Sequence, residues 1–376
     1  MNSHPLLTVF TGTKAMFIKL VPLVLEFEKR GWPYRIIDTG QHAKLVAHII
    51  EQFGLRKPGL SLTPEQEGVS TLGGGLRWML RLLSFVFRSR SRLQAELFQG
   101  KSGICFVHGD TMSTLLSCLI AKRAGQKVAH VEAGLRSRNY LHPFPEEIVR
   151  VLVMRMADYL FAPSKTAFEN LEKMGLRNKS YLLSGNTNID TMRLSLARPA
   201  PTLPELPEKY ALATIHRVET LYSRKRLRLV VDTLVNAQKT MPVVFIQHPP
   251  TVKRLKAYRL DTVLDNAGIL PLSLLNHSGF VNLLKNAEFV ITDGGSIQEE
   301  TFYLGVPCLL LRRNTEREEG LGENVLLSKL DGNIIQKFLD APEVYRRVDS
   351  SETAINPSEE IADIIGKFCI PPSTIN

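Results

Sequence analysis

The sequence predicts an α/β protein of two Rossmann-like domains, each a parallel sheet covered by helices on both faces, with a cleft between them. Three observations predict it. Short β-branched and aliphatic runs alternate with helical patterns through both halves of the chain. One stretch, Asn186 to Tyr210, breaks that rhythm with Pro199, Pro201, Pro204 and Pro207 and reads as linker and domain entry. The length of 376 residues is too great for one simple core and suits two α/β domains of roughly 150–200 residues each.

The strands are expected in order. The first half gives Leu6–Thr11, Tyr34–Thr39, Gly103–Val107, Lys127–Val131, Tyr159–Pro163 and Tyr181–Gly185. The second half gives Tyr210–Ile215, Val243–His248, Phe289–Gly294 and Pro307–Leu311. Ligands of open α/β sheets sit at the carboxyl ends of strands, so the strand-to-helix junctions are where function is sought.

Hydrophobic residues make up 44% and charged residues 22%, the balance of an ordinary globular enzyme. The net charge of +10 favours anionic partners without choosing among nucleotide phosphates, nucleic acid and acidic membrane. Cys105, Cys118, Cys308 and Cys369 form no Cys-x-x-Cys pair and read as buried reduced thiols. No His or Cys pair has metal-ligand spacing, and no nucleophile elbow is present. The N-terminus reads as a first strand, not a signal peptide, and no apolar run is long enough to span a bilayer. A cytoplasmic location is expected.

Four junctions carry candidate chemistry. The strand ending at Asp293 runs into Gly294-Gly295-Ser296 and at once into a helix with Glu299 and Glu300. Two glycines let a phosphate approach the backbone, and the helix start offers N–H groups and a positive dipole end. A tight turn would read the same way. The strand ending at Val107 leads to Asp110, the strand ending at Val131 leads to Glu132, and Glu146 and Glu147 follow soon after. Carboxylates gathered at strand ends suit general acid/base work. The structural alternative has Glu147 paired with Arg150 and Asp110 capping a helix. The strand ending at Ile215 delivers His216 and Arg217, placed to meet phosphate or relay protons.

The order of these segments resembles the non-hydrolysing UDP-N-acetylglucosamine 2-epimerases. The matching stretches are Thr39–His42, Val107–Thr111, His130–Ser137, Pro143–Arg150, Ser184–Asp190, Ile215–Glu219, Ile291–Glu300 and Asn314–Glu318. The resemblance implies the GT-B architecture, with the last helix crossing back to the first domain. The domains would then be 1–185, carrying the sugar acid/base residues, 186–356, binding UDP, and 357–376, the returning helix and tail. It implies that Asp110, Glu132 and Glu146 move protons at the sugar and that His216 lies near the diphosphate. It assigns Lys14, Lys19, Arg136, Arg217, Gly294, Gly295, Ser296, Glu300 and Arg317 to substrate, with Glu300 on the ribose. Gln41, Lys44 and His248 fall where relatives bind a second, activating nucleotide sugar. The implied reaction interconverts UDP-N-acetylglucosamine and UDP-N-acetylmannosamine for surface polysaccharide synthesis, in a homodimer, with no cofactor, no metal and no nucleic acid.

The chain departs from the family pattern in its first loop, where Lys14, Ala15 and Met16 replace Arg-Pro-Glu, and in the order Gly294-Gly295-Ser296 for Ser-Gly-Gly. Three alternatives stay open: a 2-epimerase of a modified UDP-2-acetamido sugar, a GT-B glycosyltransferase, and a non-catalytic nucleotide-sugar binder. The stretch Leu76–Arg92 sets Arg77, Arg81, Arg88, Arg90 and Arg92 among Trp78, Leu82, Phe85 and Phe87. It reads as a helix packed on its own domain or a second subunit, or as a basic amphipathic face for anionic lipid.

Overall fold

The computed structural model describes residues 5–63, 72–140, 144–199, 203 and 205–369, with Leu72 and Cys369 placed by backbone alone. Pro143, Pro201, Pro204, residues 370–376 and the Cys369 thiol therefore lie outside the described set.

The chain forms two compact units, Met1–Thr191 with Ile355–Asn376, and Met192–Ala354. In the first, β1 (Leu6–Thr11), β2 (Tyr34–Asp38), β3 (Leu60–Ser61), β4 (Gly103–His108), β5 (Lys127–Val131), β6 (Tyr159–Ala162) and β7 (Ser180–Leu182) build a sheet in the order β3-β2-β1-β4-β5-β6-β7. In the second, β8 (Ala211–Ile215), β9 (Val243–Gln247), β10 (Leu270–Ser273), β11 (Phe289–Thr292), β12 (Cys308–Leu310) and β13 (Val325–Leu327) follow the order β10-β9-β8-β11-β12-β13. Every pairing is parallel. This is the two-domain parallel-sheet class that the alternating pattern predicts.

Burial on both faces explains the apolar runs. Every residue of β1, β4 and β8 is buried. Each unit has its own aromatic-rich core, with Phe10, Phe98 and Leu82 in one and Phe245, Phe289 and Phe338 in the other. Strands β3, β10 and β13 were not expected. All three lie at sheet edges, where fewer faces need apolar cover, and β10 is mostly exposed and contains Pro271. Asn188–Leu196 is a helix inside the stretch read as linker, because the prolines that end the pattern come only after it.

The helix Pro357–Cys369 returns to the first unit and packs against Val21–Lys29. Arg30 Nη1 meets Asp363 Oδ1 at 2.7 Å, and Ser358 N donates to Asp190 Oδ2 at 2.8 Å. Ile361, Ala362 and Ile365 are buried there. Cys105, Cys118 and Cys308 are buried free thiols, and burial pushes Cys118 and Cys308 up to about 12. Among the described residues no helix is long and apolar enough to cross a membrane.

Candidate active site

In each sheet the strand order reverses direction at one place, between β1 and β4 and between β8 and β11. At such a switch point the loops leaving the two strands part to opposite faces and open a crevice. Most of the candidate residues leave strands at or next to these two points.

In the first unit, β4 and β5 pair with His108 opposite Val131, so Asp110 and Glu132 leave adjacent strands. A Cβ on Gly109 would lie 3.6 Å from Glu132 Oε2, which places the two loops in contact. Glu132 is only 9% exposed. Its Oε1 accepts from Lys19 Nζ at 2.7 Å and Asn186 Nδ2 at 2.5 Å, and His108 Nδ1 stands 4.0 Å from Oε2. Its backbone holds φ 66, a left-handed conformation that costs a side-chain-bearing residue about 1 kcal/mol. Gly134 follows at φ +91 because a Cβ there would strike Ala167 O at 2.2 Å. The loop after β5 thus turns sharply at Glu132 and Gly134.

Asp110 is 28% exposed and paired with Arg150. It does not cap the following helix, since Thr111 accepts from Thr114 N in that role. Arg150 Nη1 also meets Glu147 Oε2 at 3.0 Å. Glu147 is fully buried, binds Arg136, and accepts from Ser137 N at 3.0 Å. Those partners hold its carboxyl below the usual range against the pull of burial. The alternating chain Asp110–Arg150–Glu147–Arg136 therefore braces the loop after β5, and Arg136 is engaged within the unit. Glu146, half-buried, is the first residue of the helix Glu146–Met156. Lys14 lies on the short helix Lys14–Ile18, and burial lowers its pKa. Met16, where the family carries glutamate, is buried with the Thr111 and Thr114 hydroxyls 4.0 and 3.8 Å from its sulfur. Gln41 accepts from the Ser113 hydroxyl, and Lys44 is exposed.

In the second unit, the fully buried Asp293 straddles the switch point. Its Oδ1 accepts from His216 N at 3.0 Å and its Oδ2 from Arg217 N at 3.1 Å. The His216 ring is 38% exposed, with Nδ1 3.7 Å from Asp293 Oδ1. Desolvation lowers its pKa, and Asp293 opposes the shift. The His248 ring lies tilted beside it, with centroids 4.9 Å apart, and its Nε2 lies 3.3 Å from Thr214 Oγ1. The helix Gly295–Leu304 begins with Gly294 as N-cap and no side-chain cap, so its first turn keeps N–H groups for an anion. A Cβ on Gly294 would stand 2.9 Å from His216 Cε1, so a side chain there would have to displace the imidazole. Gly295 is equally confined, with Arg317 Nε 3.1 Å from its would-be Cβ. Arg317 Nη1 binds buried Glu299 Oε2 at 2.8 Å, and Arg217 Nε binds Glu219 at 2.9 Å. Ser296 lies in the helix's first turn, and Glu300 a turn further on is nearly fully buried.

Sequence reasoning paired Arg150 with Glu147, as found, but missed Arg150 as a partner of Asp110 and Asn186 as a partner of Glu132, and it missed His277, Ser195 and Arg312. Arg312 is a buried cation whose Nη2 meets Glu316 Oε2 at 3.0 Å beside the glycine loop. Only Arg150 had a signal, its place one turn beyond Glu147. Among the described residues no group of His, Cys, Asp and Glu is arranged to hold a metal ion.

Residues 26–358 match the model of the family described as UDP-N-acetylglucosamine 2-epimerase. The chain belongs to the UDP-N-acetylglucosamine 2-epimerase family. A UDP-N-acetylglucosamine 2-epimerase of Methanocaldococcus jannaschii is 33% identical over 90% of this chain and 91% of its own length. The crystal structure of the M. jannaschii UDP-GlcNAc 2-epimerase in complex with UDP-GlcNAc and UDP superposes with a TM-score of 0.79 at 30% identity, covering 96% of this chain and 99% of that one. A UDP-2,3-diacetamido-2,3-dideoxy-D-glucuronate 2-epimerase of Pseudomonas aeruginosa is 31% identical over 86% of this chain and 89% of its own length. The chain is accordingly an epimerase with the GT-B fold, as its motif order implied.

Proposed function

We propose that this epimerase interconverts UDP-N-acetylglucosamine and UDP-N-acetylmannosamine by eliminating and re-adding UDP. The observation that carries the reading is the division of labour between the switch points. One gathers Asp110 and Glu132, and the other joins an uncapped helix start to His216. The proton on C2 of the sugar is barely acidic, because no carbonyl stands beside it. If UDP departs from C1 with the bonding electrons while a carboxylate takes the C2 proton, no carbanion has to form. The product of that step is 2-acetamidoglucal, and UDP returns after a proton arrives on the other face. Two faces need two acid/base groups, drawn from Asp110, Glu132 and Glu146. Negative charge growing on UDP is met by the Gly294–Ser296 turn, His216, Arg217 and Arg317. Lys14, Lys19 and Arg136 line the first unit's loops as further substrate contacts or supports. Glu300 takes the ribose hydroxyls.

The experiment is turnover in D2O. The product should carry deuterium at C2, with UDP and 2-acetamidoglucal accumulating slowly. Epimerised product that keeps protium at C2 would overturn the mechanism. The likeness to an epimerase of a diacetamido glucuronate favours a second reading, a UDP-2-acetamido sugar altered at C3 or C6, and a panel of such sugars decides between the two. Activation by UDP-N-acetylglucosamine through Gln41, Lys44 and His248 would show as sigmoidal dependence on that sugar. We place the enzyme in the cytoplasm, where UDP-sugars are made, as a homodimer formed through helices of the first unit.

A further inference from the structure

Glu300 is held from behind. Its Oε1 lies 3.1 Å from His277 Nε2, and His277 Nδ1 lies 2.7 Å from Ser195 Oγ. Ser195 is itself fully buried, and Ser278 Oγ donates to its carbonyl at 2.7 Å. The hydrogen-bond directions follow from the partners. A carboxylate can only accept, so Nε2 carries the proton and donates to Oε1, and in the neutral ring Nδ1 accepts from the serine hydroxyl. His277 opens the helix His277–Asn286, and its backbone is fixed by Asn276, whose side chain accepts from Gly279 N at 2.8 Å. Glu300 Oε2 has no hydrogen-bond partner among the described residues although it is buried. A buried carboxylate oxygen without a donor is costly, and a ligand hydroxyl would satisfy it.

We infer that His277, backed by Ser195, is a positioning residue that locks Glu300 with one oxygen occupied and the other turned to the ribose, and so sets the preference for ribonucleotide over 2′-deoxyribonucleotide. The inference rests on the reading of Glu300 as the ribose contact and adds to it what holds that contact in place. The physical reason is entropic. A glutamate side chain free to rotate loses conformational freedom each time it engages a diol, whereas one already pinned at Oε1 loses little. His277 touches no reacting atom, so its removal acts on nucleotide recognition and not on proton transfer.

The test is calorimetric affinity for UDP and for 2′-deoxy-UDP in wild type, Glu300→Gln, His277→Phe, His277→Gln and Ser195→Ala. Wild type should prefer UDP by roughly tenfold or more, the weight of a hydrogen bond to a charged group. His277→Phe keeps a ring of similar size but no donor. It should bring the preference down to within about threefold of unity and raise KM, with kcat at saturation nearly unchanged. His277→Gln places an amide nitrogen near the position of Nε2 and should restore most of the preference. Ser195→Ala, which leaves the histidine in place, should lose a smaller part of it. If wild type and Glu300→Gln discriminate alike, Glu300 is not the ribose contact and the inference falls with that reading. If Glu300→Gln loses the preference while His277→Phe keeps it, the ribose reading stands and the positioning role is wrong. Equal weakening of both nucleotides by His277→Phe, with no rescue by glutamine, would likewise reduce His277 to a packing role.

Discussion

At the residue scale the proposed chemistry falls to two carboxylates with different surroundings. Glu132 is buried on Lys19 and Asn186, and Asp110 is partly open on Arg150. Glu132→Gln and Asp110→Asn should each lower turnover by roughly two to four orders of magnitude, the usual weight of positioned acid/base catalysis. UDP affinity measured by calorimetry should barely change, because the proposed nucleotide contacts, Gly294–Ser296, His216 and Glu300, belong to the other unit. His216→Ala should weaken both, since its ring stands at the glycine turn. His130 makes a separate prediction. It is fully buried, its Nε2 donates to Gly109 O at 2.8 Å, and burial lowers its pKa to about 4. A base whose folded pKa is depressed resists protonation in the fold, so its stabilising effect is complete above the unfolded pKa of about 6.5 and lost as pH falls toward 4. Between pH 7 and pH 5 this one group should cost about 2 kcal/mol, read by urea unfolding, and His130→Asn should flatten that dependence. Which residues would follow strand ends, and so stand as candidates for the chemistry, was legible from the apolar runs that precede them. Which of them are already spoken for was not. The pair of Glu147 with Arg150 one turn on was legible, but its extension to Asp110 and Arg136 was not, since no spacing announces those two contacts.

At the scale of elements, the buried strands declared themselves and the edge strands did not. A strand buried on both faces needs a continuous apolar run, whereas β3, β10 and β13 at the edges do not. The helix Leu72–Val86 shows the same principle from the other side. Trp78, Leu82 and Phe85 are buried in the first unit, while Leu76, Leu80 and Phe87 face outward, Phe87 being 82% exposed. Of the neighbouring arginines, Arg88 and Arg92 are both paired with Glu96. The outward residues thus mix Leu76, Leu80 and Phe87 with exposed Arg77, Arg81 and Arg90, and we propose that this face meets a second copy of the chain and not anionic lipid. Light scattering at micromolar concentration should give a dimer, and Leu80→Glu with Phe87→Glu should give a monomer of about the 42.2 kDa chain mass. Flotation with acidic liposomes at low salt should leave the wild-type protein unbound.

At the scale of the whole molecule, the chain leaves its first unit, builds the second, and returns. The last helix buries Ile361, Ala362 and Ile365 and ties Arg30 to Asp363. A chain ending at Asn356 loses that cover. Each buried isoleucine contributes about 2 kcal/mol, so the first unit should melt roughly 10 °C lower. Differential scanning calorimetry should show the transition of the second unit unmoved.

The sequence by itself determined the class of fold, most of the strands and the family, because strand burial and motif order leave local signatures that one chain can display. Only the tertiary structure decided which carboxylates are exposed to a ligand and which are consumed in ion pairs. It also decided that Gly294 lies against the His216 ring, and that His277 and Ser195 stand behind Glu300. Those facts depend on residues tens of positions apart meeting at one point, as Lys19 meets Glu132 and Ser195 meets His277. No local pattern records such a meeting, because the fold that brings the residues together is specified by the core and not by the residues that meet.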